Sequence, residues 1–149
     1  MPTQSPSPAA HPSAARPAPL KIVGLLAGAI VASCITNAII AALALAAGAS
    51  DDFQPLQPVA YITFTLLGVL IGAAGWALIR RRADAHKRLR ILVPVVVLLS
   101  FIPDLAMLVS DYNPHADATG VIALLLMHVA VAAFSVFAFQ RALPVSGRD

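Results

Sequence analysis

Four long apolar runs dominate the chain, at about 22–48, 58–79, 91–110 and 119–140, and short polar segments separate them. Each reaches or approaches the ~20 residues that a helix rising 1.5 Å per residue needs to cross about 30 Å of hydrocarbon. None alternates apolar and polar positions at period two, as the strands of a membrane barrel do. In lipid a lone segment satisfies all its backbone groups only as a helix. The pattern therefore predicts an all-α fold, a four-helix transmembrane bundle with up-down topology over residues 21–142, followed by a short C-terminal tail at 143–149.

The segment before the first run has a different character. Residues 1–20 carry prolines at 2, 6, 8, 12, 17 and 19 among Ser and Ala, so they can neither continue a helix nor bury a core, and a disordered tail is expected. Composition agrees with a membrane class: 59% of the 149 residues are hydrophobic and 11% charged, with a mean hydropathy of +0.84. No room is left for a sizeable soluble domain. Any chemistry has to use the helices or their short loops.

Charge sets the expected orientation. Arg16 and Lys21 precede the first run, Arg80, Arg81, Arg82, Lys87, Arg88 and Arg90 lie between the second and third, and Arg141 and Arg148 follow the fourth. The two other loops hold Asp51, Asp52, Asp111 and Asp117 without Lys or Arg. Lys and Arg accumulate in short cytoplasmic loops, which places both termini in the cytoplasm, with the plasma membrane as the expected location. Ala47, Gly48 and Ala49 resemble a signal-peptidase site, but the preceding apolar run is longer than the 7–15 residues of a signal core, so a retained helix is expected. A single cysteine, Cys34, leaves no internal disulfide, paired-thiol redox chemistry or Cys-rich zinc site.

Small residues spaced by four mark helix contacts in membranes. Gly24 and Gly28 on the first helix and Gly68 and Gly72 on the second are expected to pack as an antiparallel pair. The polar residues suggest a shared layer: by rise per residue Asp104 lies about 20 Å from the cytoplasmic end, Asn37 about 22 Å, Thr65 about 20 Å and His128 about 18 Å. Ser100 shares a helix face with Asp104. An aspartate at the centre of a spanning helix costs about 2.5–3.5 kcal/mol on insertion scales, so it is expected to face inward and find a partner.

His128 is the other ionisable residue at that depth. Pro103 frees the carbonyl of Leu99 and bends the helix just before Asp104, so a carbonyl and a carboxyl group could together hold a proton, a water or the imidazole. Titration would then belong to the pair. Asp104, His128, Asn37, Thr65 and Ser100 form the candidate intramembrane site. Intramembrane Asp and His mark proton relays and substrate paths, whereas the same groups serving only as interhelical hydrogen bonds would contribute about 0.6 kcal/mol each.

Other chemistries fit less well. Haem in a bundle needs two axial ligands, and His128 has only Met107 as a candidate companion, a residue type that usually fills cores. His115 with Asp111 and Asp117 offers at best a weak cation site, and Asp117 or Thr119 reads better as a helix cap. No metal or other cofactor is expected. The basic segment at Arg80, Arg81, Arg82, Lys87, Arg88 and Arg90 reads as a topology anchor beside an anionic leaflet, where each charge gains about 1 kcal/mol. It lacks the aromatic and groove-reading residues of a nucleic-acid patch.

The stretches RRRADAHKRLR at 80–90, SFIPD at 100–104 and MHVAVA at 127–132 together resemble a family of small four-helix bacterial-type membrane proteins known as a domain of unknown function, over residues 20 to 142. That resemblance implies a fold and no activity. Small multidrug transporters are similar in size but carry an essential glutamate in their first helix, and this chain contains no glutamate. The halves show no internal repeat of the kind many transporters have. The expected function is accessory or structural, without enzyme activity, acting through packing against other membrane helices or a second copy. A small proton-linked transporter or sensor built on Asp104 and His128 is the alternative.

Overall fold

The computed structural model describes residues 19–110 and 113–145. The proline-rich tail, Arg16, Asp111 and Arg148 lie outside the described residues. Four helices follow in chain order: α1 (Pro19–Ala46), α2 (Pro58–Ile79), α3 (Ala85–Ala106) and α4 (Ala118–Ala142), with a 3₁₀ turn at Gln54–Leu56 between the first two. All four are long and apolar enough to cross a membrane, so this is an integral membrane protein with a four-helix fold.

Local chemistry sets the helix ends. Beyond α1, Gly48 adopts φ +98°, the left-handed conformation that glycine reaches without a Cβ penalty. The N–H of Ala49 donates to the Ala44 carbonyl at 2.9 Å and that of Gly48 to Leu45 at 3.1 Å, a Schellman closure that satisfies two orphan carbonyls. Pro58 starts α2, where its missing N–H is no loss. Asp117 caps α4, accepting from the Gly120 N–H at 2.8 Å.

The third helix differs from the expected span of 91–110. It begins six residues earlier because Ala85 and Leu89, one turn apart, are both buried, and the Arg88 Nε–H is shared between the two Asp84 oxygens at 2.7 and 2.8 Å across the same turn. The Arg88 guanidinium holds the exposed Asp84 carboxyl below the usual carboxylate range. At the other end, Met107, Leu108 and Val109 donate to carbonyls three residues back, the tighter spacing on which a helix runs out. Asp104 consequently sits in the last turn of α3.

Two apolar clusters occupy opposite ends of the bundle. One joins Ala41 and Ala44 of α1 to Phe53, Leu56, Val121 and Leu124; the other joins Val69 and Trp76 of α2 to Leu89, Phe139, Ala142 and Leu143, with Ile22 to Ile30 of α1 packed on it. The start of α1 thus meets the end of α4, and adjacent helices run antiparallel. Lys21, the Arg80–Arg90 segment and Arg141 consequently share one end, termed here the basic end.

Close packing does not follow the glycines. A Cβ added at Gly24, Gly28 or Gly68 would meet nothing within 4 Å, and these three residues are exposed. The expected α1–α2 glycine contact is therefore absent at these positions, because α1 turns a different stripe inward. Ala29, Ser33, Asn37, Ala41 and Ala44 are its buried residues, and α4 is the neighbour against which it packs most extensively. Gly72 does make a close contact, but with Phe139 of α4, whose ring would lie 3.2 Å from an added Cβ.

Asp117 also ties the first loop to α4, since its second oxygen accepts from the Ser50 N–H at 2.9 Å. Phe53, fully buried, presses against Gly120 so closely that a Cβ there would lie 2.7 Å from the ring. At the basic end the Trp76 indole donates to the Leu143 carbonyl at 2.9 Å, and its ring tilts against Phe139 with centroids 5.7 Å apart.

Two outcomes follow. Gly120→Ala should lower stability by about 1–3 kcal/mol through overpacking, read as a lower thermal midpoint in detergent, whereas Gly28→Ala should leave it unchanged or raise it. The N–H groups of Gly120 and Ser50 hold the Asp117 carboxyl below its ordinary range, so its contribution is complete above the unfolded pKa of about 3.9. It is lost as pH falls through the lower folded value. Asp117→Ala should therefore cost about 1 kcal/mol at neutral pH and flatten the acid side of a midpoint-versus-pH curve.

Candidate functional site: a polar layer between two apolar clusters

Between the two clusters each helix contributes polar side chains. On α1, Ser33 and Asn37 lie between Ile30 and Ile40; on α2, Thr65 lies between Tyr61 and Val69; on α4, His128 lies between Met127 and Val131. Asp104 approaches from the last turn of α3. Ser33, Asn37, Thr65 and Asp104 are buried, although most of the helix surface is not.

The layer resolves into two pairs. The Asn37 amide donates to the Thr65 hydroxyl at 3.0 Å, joining α1 to α2. His128 Nδ1 lies 3.1 Å from Asp104 Oδ2, joining α3 to α4. The same nitrogen lies 2.9 Å from the Leu124 carbonyl one turn back on α4. A carbonyl can only accept, so Nδ1 carries the proton in this arrangement and directs it between two oxygens. The contact with Asp104 is a close approach without the alignment of a full hydrogen bond, and Asp104 Oδ2 otherwise has no donor. The Phe101 ring stands edge-on to the imidazole, with centroids 6.2 Å apart, and fixes the other side of the contact.

The oxygen beside the imidazole is thus that of Leu124 and not the Leu99 carbonyl that Pro103 frees. Ser100 stands apart: its hydroxyl donates to the Val97 carbonyl of its own helix at 2.7 Å, a local bond that takes its one proton. Ser33 and Ser135 share the expected inward stripes of Asn37 and His128, outside the five-residue candidate site. Both are buried, and their hydroxyl oxygens have no partner, like Asn37 Oδ1.

Exposure at depth is unequally shared. The Asp104 side chain is 8% exposed and that of His128 38%, so the carboxylate is enclosed while the imidazole reaches the bundle surface. Open hollows lie elsewhere: one of about 480 Å³ beside the start of α3 and one of about 200 Å³ between α1 and α4 near Thr119. Neither is lined by a member of the two pairs. In the loop before α4 both oxygens of Asp117 are engaged by backbone N–H groups, so it serves as the cap and not as a partner for His115. Among the described residues no three His, Cys, Asp or Glu side chains gather as a metal site would require.

A protein-family model described as "Family of unknown function (DUF6069)" matches residues 16–145. No curated protein and no solved structure matches.

The pair geometry predicts that Asp104→Cys with His128→Cys, in a Cys34→Ser background, forms an oxidative cross-link far more efficiently than Asp104→Cys with Cys at the lipid-facing Ile122. A double-mutant cycle on Asn37→Ala and Thr65→Ala should give a coupling of about 0.6 kcal/mol and not above about 1.7. His128→Ala should destabilise more than Asp104→Asn, because the first leaves an enclosed carboxylate without its partner while the second keeps a carbonyl oxygen facing Nδ1.

Proposed function

The chain belongs to the DUF6069 family of unknown function, and we propose that it is an accessory membrane protein that acts by offering helix faces to other membrane helices. The observation that carries this reading is how the interior polar groups are used. Asn37 with Thr65 and Asp104 with His128 each connect two helices, which is the use expected of groups that fix helix register. Outward, α2 and α3 present broad apolar faces, including Ile71, Leu78, Leu98 and Ile102. Only Ala85, Leu89 and Asp104 of α3 are buried, so most of that helix is free to meet lipid or a second helix.

The proposed location is the plasma membrane with both termini in the cytoplasm. The basis is the clustering of Lys21, Arg80, Arg81, Arg82, Lys87, Arg88, Arg90 and Arg141 at one end of the antiparallel bundle, against Asp51, Asp52 and Asp117 at the other.

A second reading, a small proton-linked transporter or sensor, draws on one specific observation. An enclosed carboxylate touches an imidazole that itself reaches the bundle surface, so a proton could enter through His128.

Reconstituted vesicles separate the two. In the accessory reading, protein-containing vesicles pass protons no faster than empty ones, and Asp104→Asn and His128→Ala lower thermal midpoint and abundance without touching flux. A proton flux above that of empty vesicles, abolished by Asp104→Asn in protein that still folds, would replace the accessory reading with the proton-linked one.

A further inference from the structure

The early start of α3 changes what its basic residues can do. His86, Lys87, Arg88 and Arg90 are not spread along a loop but are carried on the first two turns of a helix, where periodicity fixes their directions. Lys87 and Arg90, three apart, share a face, with Ile91 next to them. On that face the hollow of about 480 Å³ opens, lined by Ala83, Asp84, His86, Lys87, Arg90 and Ile91.

Charge around this hollow is unbalanced. Residues 80–90 hold six Lys or Arg against one acid, Asp84, and that acid is already engaged by Arg88. Lys87 and Arg90 make no salt bridge or side-chain hydrogen bond among the described residues and are exposed. Positive side chains at the start of a helix also repel the positive end of its dipole, so the arrangement is unfavourable until an anion offsets it. The hollow has one apolar wall, Ile91, where the chain passes from the basic segment into the long apolar run of α3. A ligand that fits has an anionic head and an apolar body at a fixed depth, which describes a phospholipid and not a soluble anion.

We propose that this hollow seats the phosphate of an anionic phospholipid headgroup, held by Lys87 and Arg90, with the acyl chains running along Ile91. The proposal rests on the orientation given above, which puts the hollow on the cytoplasmic leaflet. Sidedness is read independently, by labelling a cysteine at Ala83 in intact cells with an impermeant reagent.

The test uses the full chain in mixed micelles, measuring retained phosphatidylglycerol against phosphatidylcholine by native mass spectrometry. The wild type should prefer phosphatidylglycerol, and Lys87→Gln with Arg90→Gln should reduce that preference about thirtyfold, given the gain of each of the two basic residues beside anionic lipid. Arg81→Gln with Arg82→Gln removes the same charge outside the hollow and should have little effect. Equal losses in the two double variants, or no preference in the wild type, would overturn the proposal. So would displacement of the lipid by millimolar inorganic phosphate, which would assign the hollow to a soluble anion. Labelling of Ala83→Cys from outside, with lipid preference intact, would overturn the orientation and leave the site standing.

Discussion

Small side chains recur along the buried face of α1, against which α4 packs more extensively than any other helix; α2 rests on both of these helices and α3 reaches the core mainly through α4. Ala29, Ser33 and Ala41 on the buried stripe of α1 are small, while Asn37 turns to Thr65 of α2, so van der Waals contact and not the hydrophobic effect holds the helices together within lipid. Asp117 closes one end of this seam by binding the Ser50 and Gly120 N–H groups together. At the basic end Trp76 ties α2 to the end of α4 by donating to Leu143. With α4 fixed, its remaining faces receive Gly72 of α2 through Phe139 and Phe101 and Asp104 of α3 through His128.

The attachment of α3 shows what this dependence costs. It buries Ala85 and Leu89 at the basic end and Asp104 in its last turn, and much of the stretch between, which contains Pro94, is exposed. A carboxylate is an expensive way to attach a helix in hydrocarbon, yet it is directional, as apolar contacts on a lipid-exposed helix are not. The pairing with His128 therefore specifies which face of α3 turns to α4. The same chemistry underlies both functional readings: a register lock and a proton-accepting pair are built from identical groups and differ only in whether a proton moves through them.

Electrostatics organises the basic end differently. There Arg81, Arg82, Lys87, Arg88 and Arg90 are exposed, whereas Arg141 lies over the Phe137 ring. Asp84 is engaged by Arg88, and Lys87 and Arg90 are exposed. The interior polar pairs join helix to helix, while the basic residues gather at one rim of the bundle.

The number and class of the helices were legible in the sequence because lipid demands a minimum apolar length and a self-satisfied backbone, and both requirements are local. The span of α2 was readable for the same reason, with Pro58 marking its start. Asp104 and His128 could be singled out as partners because ionisable groups at membrane depth are scarce. The start of α3 was not legible, since a run of Arg and Lys reads as loop until Leu89 is seen to have a core to enter. Nor were the contacts: Gly24, Gly28 and Gly68 carry the spacing of a packing motif, but spacing cannot say which face meets a neighbour, and tertiary structure gave that role to the Ala29–Ser33–Asn37–Ala41 stripe. Ser100, in the right stripe of its helix, turned its proton to its own backbone. The sequence by itself determined what could live in a membrane, because that depends on segment length and transfer energy; only the tertiary structure decided which side chains meet, because that depends on how four helices rotate about their axes to fill one shared interior.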